Sequence, residues 1–171
     1  PVFKKRESNT HKGTYGTAAL IVGSYGMAGA AILALKGCLK SGVGIAKAYI
    51  PDSIYPMVTV SAPEAVCNVY KEHTDAKDIC HKAFLSDALL IGCGLNIGDK
   101  QRQMLSYVIE SYDKKLLIDA DGINMLAEGI ECIKHSAADI VLTPHSAEMA
   151  RLCKVTTKKI EENRIFYAKT L

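Results

Sequence analysis

Short apolar runs without polar alternation, each stopped by an unusual loop, constrain this chain most. Residues 18–22, 88–91, 116–118 and 140–142 are such runs, and residues 43–50 form another that stops at Pro51. A strand that is apolar on both faces must be covered on both faces, so these runs predict a parallel sheet rather than a half-solvated antiparallel one. Helical stretches alternate with them, at about residues 27–40 and 99–112, and the first ends at Gly42 and Gly44. Residues 53–84 are less legible: a helix near Tyr55, a possible strand at 65–70 and a helix near Ile79. The expected fold class is α/β, a three-layer α/β/α arrangement around a mainly parallel sheet.

The 171 residues are 49% apolar and 23% charged, enough for one domain with a single core and too few for two full-sized ones. Disorder, collagen and coiled coil are excluded on composition. A net charge of +3, with aromatics at 6% and Trp absent, argues against a nucleic-acid partner. The six cysteines, at 38, 67, 80, 93, 132 and 153, include no C-x-x-C pair. Free thiols in a reducing, cytoplasmic setting are therefore expected rather than a zinc ribbon or disulfide framework. Residues 13–35 carry no charge and follow Lys4-Lys5-Arg6, but five glycines and several hydroxyl side chains interrupt them. No membrane span or signal core is expected there.

Ligands of such sheets bind at the carboxyl ends of the strands. Four of those ends carry candidate chemistry. Gly23-x-x-Gly26-x-x-Gly29 opens a helix and either presents amides to a phosphate or merely permits a tight turn; spacing alone leaves both open. Gly92-x-Gly94-x-x-x-Gly98 is one residue off the dinucleotide fingerprint. Asp119 and Asp121 stand on one side of an extended segment, as a metal- or hydroxyl-binding pair requires, although Asp121 equally suits a helix cap. The stretch Thr143-Pro144-His145-Ser146-Ala147-Glu148 offers a histidine at a helix start, or a Ser146 or Thr143 cap with Glu148 completing a capping box. In order, Ser24, Asp119 or Asp121, and His145 reproduce an α/β-hydrolase triad, but Val22 stands where the nucleophile elbow needs glycine.

These loops, taken in order, resemble the ADP-dependent (ATP-dependent in animals) NAD(P)H-hydrate dehydratases, the carbohydrate-kinase-like domain of the ribokinase-like fold. The matching pieces are His11-Lys12-Gly13-Thr14-Tyr15-Gly16, Gly23-Ser24 with Met27-Ala28-Gly29-Ala30, Ser41-Gly42-Val43-Gly44, Pro63-Glu64, Ile91-Gly92-Cys93-Gly94-Leu95, Asp119-Ala120-Asp121-Gly122-Ile123-Asn124 and the segment from Thr143 to Leu152. The resemblance implies repair of damaged cofactor: NADH or NADPH hydrated on the nicotinamide ring is phosphorylated by ADP or ATP, with Mg2+, and loss of phosphate restores the double bond. It also implies that Gly29, Ala30, Gly94 and His145 line the hydrated-cofactor site, with Asn124 and the Asp119 and Asp121 loop beside them.

Three departures stand out. The family loop usually reads G-P-G-L-G where this chain has Cys93 and Asn96, and glycine where Ala147 stands. The family domain also continues into a K-G-x-x-T-type segment and a G-[ST]-G-D loop whose aspartate is the expected catalytic base, and neither stretch occurs here. The expectation is a single partial domain over residues 1–171, incomplete at the C-terminus, with the catalytic aspartate beyond Leu171 and no protein metal ligands. Residues 158–171 read as one amphipathic helix whose basic excess marks a solvated face. The partners expected are hydrated NADH or NADPH, and a second copy in a homo-oligomer or a missing C-terminal half paired at an open sheet edge. The alternatives are a non-catalytic dinucleotide-binding or assembly module, a small-molecule kinase, or the hydrolase.

Overall fold

A computed structural model describes residues 7–171, so Pro1 and the Lys4-Lys5-Arg6 cluster lie outside the described residues. Six strands, β1 (Thr17–Ile21), β2 (Ile45–Pro51), β3 (Val66–Tyr70), β4 (Ala88–Ile91), β5 (Lys115–Ile118) and β6 (Asp139–Leu142), form one sheet in the order β3-β2-β1-β4-β5-β6. Every pairing is parallel. The helices are α1 (Ala28–Lys40), α2 (Tyr55–Ser61), α3 (Ala76–Ala83), α4 (Asp99–Ser111), α5 (Asp121–Leu126), α6 (Ser146–Leu152), α7 (Thr157–Glu162) and α8 (Arg164–Thr170). Among them, none is long and apolar enough to cross a membrane.

The sheet grows outward from β1 in one direction and from β4 in the other. Crossovers of constant right hand then place their helices on opposite faces. Leu20, Ala46, Ala48 and Ile50 accordingly bury against Ala31 and Leu35 of α1 and Val58 of α2. Ala19, Ile21, Leu89, Ile91, Leu116 and Ile118 bury on the other face, against Ile79 of α3, Met104 and Val108 of α4 and Ile123 of α5. The adjacent strands β1 and β4 belong to different windings. That seam, aligned from Ala18 opposite Ala88 to Ile21 opposite Ile91, is the topological switch point at which such sheets bind ligands.

The apolar runs appear as strands within a residue or two, and the uncertain segment resolves into α2, β3 and α3. The C-terminal segment differs from its expected single helix. Asn163, at φ −141° and ψ 45°, breaks it into α7 and α8, and the Thr156 side chain starts α7 by accepting from the Lys159 amide. The break turns Ile160 into the core at 3% exposure while Ile165 and Phe166 stay in solvent.

Candidate functional site

The carboxyl ends of β1, β4, β5 and β6 are stitched together by hydrogen bonds between their loops. Across the seam, the Gly23 amide donates to the Cys93 carbonyl (2.9 Å), the Gly92 amide to the Ile21 carbonyl (3.2 Å) and the Ser24 hydroxyl to the Gly94 carbonyl (2.9 Å). Gly94 lies at φ +60°, and a Cβ built there would stand 2.6 Å from the Ala30 Cβ at the start of α1. Only glycine satisfies both the left-handed backbone and the space. The structure thus brings Ala30 and Gly94 together, while Gly29 stands exposed on the same turn with nothing near it.

Between β4 and β5 the links run through carboxylates. The Asn96 amide donates to Asp121 Oδ2 (2.8 Å), so Asp121, in the first turn of α5, holds the neighbouring loop instead of capping its own helix. Asp119 accepts from the Cys93 thiol at Oδ2 (3.0 Å) and from the Thr143 hydroxyl at Oδ1 (2.8 Å), clasping three strand ends. Burial, and then the hydrogen bond to Asp119, push the Cys93 thiol up to about 12, so it stays a donor at neutral pH. Between the two aspartates, Ala120 sits at φ 51°, ψ −115°. A non-glycine residue in that region costs on the order of 1–3 kcal/mol and is held only where the surroundings over-determine it, as here.

His145 itself caps α6: its Nδ1 accepts from the Ala147 and Glu148 amides, at 3.1 and 3.3 Å, while Glu148 Oε2 accepts from the His145 amide (2.9 Å). The capping box is real, with the histidine as its first member instead of Ser146 or Thr143. Because Nδ1 is an acceptor, the remaining ring proton lies on Nε2, 3.1 Å from Glu148 Oε1. Asn124 is likewise engaged, its Oδ1 accepting from Arg151 (2.8 Å). Ser24, Asp119 and His145 each point to other partners, so no nucleophile–base–acid chain forms.

Four residues of this edge were given no role of their own in the sequence reading. Tyr25 is 87% exposed between two turn glycines, and Met27 and Ile97, in the loops that follow β1 and β4, also show apolar surface. Their signal was present, since a large apolar side chain in a glycine loop has no packing reason to be there. Arg164, on α8, approaches Ser146 at 3.4 Å and lines, with Thr143, His145 and Met149, a cavity of about 480 Å³. No pattern marks that contact, because it depends on the break at Asn163. Among the described residues no group of three or more His, Cys, Asp or Glu is placed to hold a metal. The G-[ST]-G-D loop, whose aspartate the family resemblance makes the catalytic base, does not occur in these 171 residues.

A doubly wound α/β sheet whose glycine loops and carboxylates converge on its switch point defines a ligand-binding α/β protein of nucleotide type. A family model described as NAD(P)H-hydrate dehydratase matches residues 18–171, and the chain belongs to that family. It is 32% identical to the ADP-dependent (S)-NAD(P)H-hydrate dehydratase of Neisseria meningitidis, over 95% of this chain and 54% of that protein. It is 34% identical to the bifunctional NAD(P)H-hydrate repair enzyme of Thermofilum pendens, over 93% of this chain and 31% of that one. The crystal structure of the Bacillus subtilis ADP/ATP-dependent NAD(P)H-hydrate dehydratase, co-crystallised with ATP and Mg2+, superposes with a TM-score of 0.78 at 29% identity, covering 98% of this chain and 58% of that one. This chain therefore spans about half the length of the single-function relatives and about a third of the bifunctional one.

Proposed function

We propose that this chain forms the substrate side of a nucleotide-dependent dehydratase that restores NADH or NADPH from its hydrated form. One observation carries the reading: four of the seven pieces that match the family, those beginning at Gly23, Ile91, Asp119 and Thr143, follow β1, β4, β5 and β6 and are hydrogen-bonded together at the carboxyl edge, with Gly94 against Ala30 across the seam. The amino ends of α1 and α4, each 13 residues long, flank that seam and favour the pyrophosphate of a dinucleotide. Tyr25, Met27 and Ile97 offer apolar surface to a ring system. His145 contributes by position: its ring is oriented by the α6 amides and Glu148, and its exposed edge faces the cavity lined by Thr143 and Arg164. The relatives' names supply the reaction class, an ADP- or ATP-dependent dehydration of an NAD(P)H hydrate. This chain's own residues bind and orient the hydrated ring.

Calorimetric titration of the chain with hydrated NADPH tests the reading. Saturable binding at one site, with no recovery of 340 nm absorbance on adding ADP or ATP and Mg2+, is the expected outcome. No heat up to millimolar ligand would overturn it. Binding of NADPH and hydrated NADPH with equal affinity would reduce the function to dinucleotide binding.

A further inference from the structure

The arginines among the described residues are not equally engaged. Arg102 forks onto the Glu128 carboxylate at 2.9 and 2.6 Å, and Arg151 donates to Asn124 Oδ1 at 2.8 Å. Arg164 reaches only the Ser146 hydroxyl, at 3.4 Å, and no ion pair holds it among the described residues. It lines the cavity of about 480 Å³ beside His145, to which it brings the only fixed charge. No carboxylate lines that cavity; Glu161 and Glu162, on the preceding helix α7, are exposed and take no part in it.

The other polar groups of the lining already have partners. The Thr143 hydroxyl donates to Asp119, His145 Nδ1 accepts from the α6 amides, and His145 Nε2 stands 3.1 Å from Glu148 Oε1. Met149 and Ile160 add apolar surface. What is left over is donor: the guanidinium N–H groups not directed at Ser146, and the Ser146 hydroxyl, which accepts from Arg164 and so keeps its own proton to give. Such a set is complementary to an oxyanion. A carboxylate is filled by the guanidinium fork alone, whereas a phosphate has a further oxygen for the hydroxyl.

We propose that this cavity is an anion subsite in which Arg164, assisted by Ser146, holds a phosphate group of a nucleotide substrate beside His145. The assignment of that phosphate to a substrate rests on the proposed dehydratase function, which supplies it from one of two sources: the pyrophosphate of the hydrated dinucleotide, or the phosphates of ADP or ATP. Arg164 is then a binding residue of the ligand edge, contributed by the helix that follows the break at Asn163.

Titration of the isotope-labelled chain with inorganic phosphate, read by NMR, tests the subsite. The amide signals of Thr143, His145 and Ser146 should shift saturably. Arg164→Gln, at an exposed position where folding is not at stake, should weaken this binding about tenfold or more. Arg164→Lys, which keeps the charge and loses the fork, should weaken it by about threefold. Lys169→Gln, which removes an exposed charge from the same helix outside the lining, should change it by less than about twofold. Hydrated NADPH and ADP are then added separately to the phosphate-bound chain. Displacement by hydrated NADPH assigns the subsite to the dinucleotide and displacement by ADP assigns it to the nucleotide; either result upholds the proposal. Absence of a saturable shift at these signals, equal affinity in Arg164→Gln, or displacement by neither ligand would overturn it. Failure of the dehydratase reading looks different: phosphate is held through Arg164 and displaced by ADP, while hydrated NADPH gives no calorimetric heat.

Discussion

At the scale of single residues, Gly94 combines two constraints that a substitution can separate. Gly94→Ala imposes both a left-handed backbone on alanine and a clash at 2.6 Å with Ala30. We expect it to lower stability by about 1–3 kcal/mol, read from the urea midpoint. Adding Ala30→Gly should recover the steric part and leave the backbone part. The Cys93 thiol gives a pH signature. In the unfolded chain it ionises near its ordinary value, about 8.5, whereas in the fold burial and Asp119 push it up to about 12. The folded state therefore holds the proton more tightly, and its contribution to stability is complete below pH about 8.5 and is lost as pH rises toward 12. Between about pH 7 and 10 the urea midpoint of the wild type should fall more than that of Cys93→Ala; equal slopes would show that the clasp to Asp119 does not form. Legibility is uneven at this scale. The sequence placed Asp119, Asp121 and His145 on the ligand edge, because strand ends are easy to read. It could not show that Asp119 is saturated by Cys93 and Thr143, nor that His145 caps α6, because partners 24 and 26 residues apart leave no periodic trace and a histidine is an uncommon cap.

At the scale of elements, α1 illustrates how a functional helix is built with stability in reserve. It buries only Ala31 and Leu35, begins without a side-chain cap, and carries Gly37 in its interior with nothing within 4 Å of where a Cβ would lie. Gly37→Ala should raise stability by about 0.5–1 kcal/mol, since it removes unfolded-state freedom without a clash. A fall in the thermal midpoint would mean that the space around Gly37 is closer packed than it stands. The strands were legible because continuous apolar runs admit few other readings, whereas the hinge at Asn163 was not. Lys158 to Leu171 has a helical pattern throughout, and only the burial of Ile160 against the core selects the break over one straight helix.

At the scale of the whole molecule, the parallel α/β class followed from strands apolar on both faces, and the same property exposes the mismatch on β4, β5 and β6. Leu90, Leu117 and Val141 carry side chains suited to an interior on a face that none of the described helices fully covers. Strand order was not readable, because β1 joins β4 across 66 intervening residues, from Ile21 to Ala88, with two strands wound between them. That seam has a kinetic consequence. Within the triplet β1, β2 and β3, and within the triplet β4, β5 and β6, every pairing joins sequence neighbours, so each closes short loops and can condense alone. The β1–β4 pairing is the one step that must wait for both. The ligand edge is therefore the last part of the protein to come into existence as it folds, and a ligand bridging Ala30 and Gly94 would act on the chain as a staple across its two folding units.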